Sequence, residues 1–294
     1  MLQPNQKVWE KLCKIVSDHH LLKQEEFPEY IYHYTNTGAA LKIIESKEWL
    51  LNSIFNIPTD KSEFYDFYAE EMRVIWGEVK EQKTRTALKF ALNANLSIQN
   101  WRDHIIHPTC FIACFSQQKV LGGRMVRAFT PYDHQKKAIL KIPTKLLIQI
   151  DFPFKDLLRF GLNVMRYKDD EKSNKQDEVT IKEIIKYYER LQTEEEKQSC
   201  IYYTSVLVAW YGIWVTRSKF RYEQEYRLAA YPTQWGHSDQ FKDEIYLRIP
   251  DDLLKEITLY VHTKSDIDEA VEQINPHIKE VERCIFDDGE DVDT

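Results

Sequence analysis

The chain has 294 residues, with 47 acidic against 40 basic side chains and a formal net charge of −7. An apolar content of 43% and an aromatic content of 13% exclude a largely disordered chain and supply a core for one large domain or two small ones. The acidic balance argues against a general nucleic-acid coat. Eight glycines, with no G-x-G and no G-x-x-x-x-G-K, argue against a Rossmann enzyme and a P-loop NTPase.

Trp9, Leu12, Cys13, Val16 and His20 recur at three- and four-residue steps, which predicts an opening helix. After the break at Phe27-Pro28-Glu29, Tyr30-Ile31-Tyr32-His33-Tyr34-Thr35 reads as a strand. Its three tyrosines share one face, and Ile31, His33 and Thr35 share the other. Asn36 or Thr37 is placed to cap a short helix over 39–46, and Trp49-Leu50-Leu51 suggests a second strand. Phe64, Tyr68, Met72, Ile75 and Val79 form a helical stripe, and a further helix is expected over 84–94. Strands are expected at 110–116, 138–142 and 146–150, with a charged loop over 168–178. Helices follow over 180–193 and 199–214, then strands over 221–231, 244–249 and 257–262. Pro250-Asp251-Asp252 starts a short turn or helix, and Ser265-Asp266 is placed to cap a helix ending at Ile274.

Strands and helices mix without strict alternation, which predicts an α+β fold: a mixed β-sheet core flanked by helices, with a helical N-terminal segment over 1–26. The expected organisation is one domain over 1–286, its body at 27–286, followed by an acidic disordered tail over 287–294. Those last eight residues carry five acids and no base, so most of the net charge sits there. Five cysteines at irregular spacing and no apolar leader suggest free thiols and a cytoplasmic location. Residues 198–216 carry no charge, yet their serines, threonines and tyrosines favour a buried core helix over a membrane span. No membrane association is expected.

Three constellations could carry chemistry. His104, His107, Cys110 and Cys114 are all possible zinc ligands. On a strand, however, Cys110 and Cys114 would stand about 13 Å apart, at about 3.3 Å per residue. Sharing one ion would break that strand, so no metal is expected. Glu223, Glu225 and Arg227 alternate, and on a strand they would share one face. Two carboxylates that close repel, which suits one of the pair to acid/base work. The carboxylates could also stabilise developing positive charge in an oxocarbenium-like transition state. The competing reading is a surface row in which Arg227 pairs with Glu225. His33, among aromatics, and Ser116, ending a strand, each read as a core residue or a ligand contact. No G-x-S-x-G surrounds Ser116.

Taken in order, these pieces resemble a bacterial family known as domain of unknown function 2971. The resemblance rests on Tyr32-His33-Tyr34-Thr35 before a helix, Trp49-Leu50, Phe55-Asn56-Ile57-Pro58 and Cys114-Phe115-Ser116. It continues through Lys219-Phe220-Arg221-Tyr222-Glu223-Gln224-Glu225-Tyr226-Arg227-Leu228 and Leu253-Leu254-Lys255-Glu256-Ile257. It spans about residues 30–274. Ile57 stands where the family has Asp, the glycine segment is poorly kept near 124–129, and the glycine after Ile257 is missing. The motif layout is in turn similar to ADP-ribosyltransferases, which bind NAD in a cleft without a Rossmann loop.

That resemblance implies NAD as substrate, with Glu225 and Glu223 as catalytic residues. Glu225 would hold the 2′-hydroxyl of the nicotinamide ribose and stabilise the oxocarbenium ion; Glu223 would orient or deprotonate the acceptor. His33 and Thr35 would hold the adenosine ribose. Tyr34, Tyr68, Ser116 and Arg227 complete the expected NAD-contacting set, with Phe64 or Tyr65 as alternatives to Tyr68 for stacking on nicotinamide. The implied activity is ADP-ribosyl transfer or NAD hydrolysis by a bacterial toxin or phage-defence effector. Its acceptor would be a protein or a nucleic acid, with a defence-operon protein as a possible partner. The alternatives are a non-catalytic sensor or interaction module, and a metal-dependent nuclease using Glu223, Glu225 and Asp151.

Overall fold

The computed structural model describes residues 5–20, 27–53, 111–119, 136–147, 150, 158–167, 171–211, 215–216, 224–232, 244–263 and 267–286. The expected helices over 64–79 and 84–94, the His104/His107/Cys110 group, Asp151, Glu223 and the acidic tail lie outside them, as do Phe64, Tyr65 and Tyr68.

Helix α1 (Gln6–His20) starts where Asn5 Oδ1 accepts the Val8 N–H, and it buries Val8, Trp9, Leu12, Cys13 and Ile15. That stripe packs on α4 (Glu171–Arg190) and α5 (Glu194–Tyr211), with Trp9 edge-on to Tyr203 at 5.2 Å. Thr193 and Glu196 close a reciprocal capping box at the start of α5. Glu196 sits below the usual carboxylate range because Thr193 donates to it. The uncharged run falls largely on α5, and among the described residues no helix is long and apolar enough to cross a membrane.

The sheet is mixed and flanked by helices. It contains β1 (Tyr30–Asn36), β2 (Glu48–Ser53), β3 (Phe111–Ser116), β4 (Lys137–Pro143), β5 (Leu158–Val164), β8 (Glu225–Pro232), β9 (Glu244–Arg248), β10 (Thr258–His262) and β11 (Glu280–Cys284). A separate pair joins β6 (Arg166–Tyr167) to β7 (Val215–Thr216). In the main sheet the order runs β11-β10-β4-β1-β3, and every pairing is antiparallel except β10 with β11.

The sheet forks at β3. One edge of β3 pairs with β8 along its whole length, and β5 lies beyond β8. The other edge meets β1 at Ser116 and β2 at Phe111 and Ile112. Along β3, the partner on that edge therefore changes from β2 to β1.

One sheet face carries the main core. Ile31, Phe111, Ala113, Phe115, Leu140, Leu228, Ala230 and Leu259 lie there, with Ala40 and Ile44 of α2 (Thr37–Ser46), Leu253 and Leu254 of α6 (Asp251–Leu254), and Ile274 of α7 (Asp268–Ile274). Asn36 caps α2 by accepting the Ala39 N–H at 2.8 Å. The opposite face holds a smaller cluster of Tyr34, Ile139, Tyr260 and Phe286, with Tyr32 and Cys284 against it.

Three expectations need correction. The strand expected over 146–150 is replaced by a helical turn, α3 (Thr144–Leu147). Leu147 and Ile150 both bury, and a three-residue step suits a turn rather than a period of two. The loop expected over 168–178 is mostly the start of α4. The stretch is charged, but it has no glycine or proline to stop a helix. Helix α7 begins after Ile267, which gives no side-chain cap, rather than from Ser265-Asp266.

Candidate functional site

Strands β1, β3 and β8 are 75 or more residues apart from one to the next in sequence, yet they lie side by side. Their register sets one row across the sheet: Tyr32 faces Ser116, and Ser116 faces Glu225. Directly opposite residues of antiparallel strands project from the same face. A second row follows, in which Cys114 faces Arg227 and Arg227 faces Asn163 of β5. Four residues of these rows are polar and buried. Ser116 is 2% exposed, Asn163 1%, Glu225 5% and Arg227 4%.

Alternation along β8 brings Glu225 and Arg227 together, as their spacing predicts. Arg227 Nε donates to Glu225 Oε1 at 2.8 Å and Nη2 donates to Oε2 at 3.3 Å, so the guanidinium grips both carboxylate oxygens. The pair is buried, not the solvent-facing row of the competing reading. Removing two charges from water is costly, and such pairs are weak evidence of a stability role. Buried ionisable pairs of this kind are candidates for function.

The alternation does not extend to Glu223. Gln224 has φ of +41°, in the left-handed region that non-glycine residues rarely occupy. The strand begins at Glu225, so the same-face argument for Glu223, which lies outside the described residues, does not apply. The Gln224 carbonyl accepts the Gln117 N–H at 3.0 Å, and the Glu225 carbonyl accepts the Met165 N–H at 2.7 Å. These bonds hold the entry to β8 against the ends of β3 and β5.

His33 neighbours Tyr32 along β1 and therefore projects to the other face, as does Thr35. The His33 ring lies 4.9 Å from that of Trp49 and 5.6 Å from that of Phe115, both core residues. Its Nδ1–H donates to the Cys114 carbonyl at 2.9 Å, beside the fork where β3 changes partners. Burial pushes the imidazole pKa down, so the neutral ring is favoured. Alternation thus separates His33 and Thr35 from the face that carries Glu225, Arg227 and Ser116.

Tyr34 shares the Glu225 face, and its hydroxyl donates to the Gln118 carbonyl at 2.8 Å. The Gln118 N–H in turn donates to Ser116 Oγ. The next residue, Lys119, lies 3.6 Å over the Tyr260 ring and 3.7 Å from the Glu282 carboxylate. Residues 117–119 thus form a strap from the end of β3 across the tyrosine face toward β10 and β11.

Other chemistries find little footing among the described residues. No group of three His, Cys, Asp or Glu side chains could hold a metal there. Burial pushes the Cys200 thiol up to about 12 and that of Cys284 to about 11, so neither offers a thiolate at neutral pH.

Two site members were not singled out from the sequence. Asn163 could have been found from the alternation of Leu158, Phe160, Leu162 and Val164 with Arg159, Gly161 and Asn163. Tyr32 could have been found from the alternation that separates it from His33. Compared with family models, curated proteins and solved structures, the chain matches none of them.

Proposed function

We propose that the chain is an NAD-consuming enzyme, an ADP-ribosyltransferase or NAD glycohydrolase, acting as a bacterial toxin or phage-defence effector, with Glu225 as its central catalytic residue. The observation that carries this reading is the buried, doubly hydrogen-bonded Glu225–Arg227 pair on a row with Ser116. The three strands bearing the expected motif residues also adjoin one another, as an ADP-ribosyltransferase-like sheet would require. The resemblance to the domain of unknown function 2971 family belongs to the same proposal.

In the proposed reaction the bond between the nicotinamide nitrogen and ribose C1′ breaks, and its electron pair leaves with neutral nicotinamide. Glu225 stabilises the positive charge that develops on the ribose. An oxygen of water or of an acceptor then bonds to C1′ and loses its proton. Arg227 fixes the orientation of the carboxylate through its two hydrogen bonds. Any contact of His33 with the adenosine ribose would use Nε2, because Nδ1 is engaged by Cys114.

The test is nicotinamide release from NAD by the purified chain, alone and with cell or phage-infected extracts. Release that is lost in Glu225→Gln supports the assignment; release that survives the substitution removes Glu225 from it.

A second reading has its own observation. His33 and Glu225 stand on opposite faces, and Arg227 already occupies both oxygens of Glu225. A non-catalytic sensor or interaction module fits that arrangement. It predicts no nicotinamide release under any condition, with binding to a partner protein that survives Glu225→Gln.

A further inference from the structure

We infer that β9 is a dimerisation edge, along which two copies of this chain pair antiparallel about a two-fold axis at Tyr246. The inference does not depend on the NAD reading. Among the described residues β9 pairs only with β2, in register from Glu48 opposite Arg248 to Asn52 opposite Glu244. One position further along, the Ile249 N–H donates to the Lys47 carbonyl at 2.8 Å. Successive residues of an antiparallel strand turn their backbone groups to alternate sides. Leu247 and Ile245 therefore bond toward β2 as Ile249 does. Glu244, Tyr246 and Arg248 turn their N–H and C=O groups to the other edge, where no described strand meets them.

Those same positions are self-complementary. Antiparallel pairing centred on Tyr246 sets it opposite Tyr246 of the second copy and sets Glu244 opposite Arg248, each couple exchanging both backbone hydrogen bonds. The two-fold repeats the match of acid and base on either side of the axis. Ile245 and Leu247 are buried on the core face and would oppose one another across the axis, so the apolar face continues from copy to copy. Tyr246 is 48% exposed and Arg248 is exposed, which presents an aromatic and a cation at the surface. Asp251, which also feels Arg248, is bonded to Lys47 Nζ at 2.7 Å. Edges are commonly guarded by lysine or proline, and β9 has neither. The other edge strands suit a second copy less. The same pairing of β11 about its middle residue would set Glu282 against itself, and β5 buries Leu162 and Asn163.

The experiment is sedimentation velocity on the full chain from about 1 to about 100 µM, a range suited to a contact of modest size. Wild type should move from the monomer to the dimer mass as concentration rises. Glu244→Arg and Arg248→Glu each set like charges opposite one another at two places and should weaken dimerisation about tenfold. The double variant Glu244→Arg/Arg248→Glu restores the match with its sign reversed and should recover most of the affinity. Tyr246→Pro removes an N–H that β2 does not use, so the chain should keep a native thermal midpoint and be monomeric. If the proline variant fails to fold, the charge series decides. A wild type that stays monomeric throughout overturns the inference, as does a dimer whose affinity is unchanged by both charge reversals.

Discussion

The Glu225–Arg227 pair makes a quantitative prediction. Both side chains are nearly inaccessible, at 7% and 5%, and joined by two hydrogen bonds. Replacing Arg227 with Met keeps much of the volume but strands a buried carboxylate. Removing one partner of a buried ion pair costs about 3–5 kcal/mol. Glu225→Gln keeps the shape and an acceptor oxygen but strands the buried Arg227 guanidinium, so it too should cost about 3–5 kcal/mol. In the double variant the stranded charge is gone, so the two effects should fall short of adding by about 2 kcal/mol. Urea denaturation followed by tryptophan fluorescence, with all four proteins at pH 7.5, measures each term. Additivity within about 0.5 kcal/mol, or a cost for Arg227→Met below about 1 kcal/mol, would show that the pair behaves as a solvated surface contact. The account of a buried site would then fail.

Further predictions concern the elements that place this row. His33 has its pKa lowered in the fold by burial, from an ordinary value of 6.5. The unfolded chain then binds the extra proton first as pH falls. Wild-type stability should therefore drop as pH falls below about 6.5, and His33→Gln should lose that part of the slope; matching slopes in denaturation between pH 7.5 and 5 would contradict it. Asn36→Ala removes the α2 cap and should cost about 1 kcal/mol, read from the denaturation midpoint, whereas Asn36→Ser should restore most of it. Gln224→Gly relieves a left-handed residue worth about 1 kcal/mol and should raise the thermal midpoint or leave it unchanged, while Gln224→Val should lower it. A midpoint raised by Val would remove the strain argument.

Local elements were legible where local chemistry decides them. β1 and α2 follow from alternation, a cap residue and a 3.6-residue stripe, and β3 from a short apolar run. β5 carried a clean alternation obscured by Gly161, which reads as a break. β11, Glu-Val-Glu-Arg-Cys, is a short half-exposed strand without an apolar run, set by its parallel pairing with β10, the strand before it. At the site, the i and i+2 spacing of Glu225 and Arg227 was enough to bring them together. What spacing could not show was register between strands far apart in the chain. The match of Tyr32 to Ser116 and Ser116 to Glu225 decides which β1 side chain shares the face of Glu225. The fork at β3, which gives His33 a carbonyl to cap, arises from tertiary pairing as well. The left-handed Gln224 has no sequence signal, because glutamine is not a residue that favours positive φ.

The most direct test of the central claim is nicotinamide release from NAD by wild type and Glu225→Gln, measured by chromatography with and without phage-infected lysate. The account predicts release by wild type and a loss of at least about 100-fold in the Gln variant, the scale of removing one transition-state stabilising group. Equal release by the two proteins, or none by a correctly folded wild type under either condition, would contradict it.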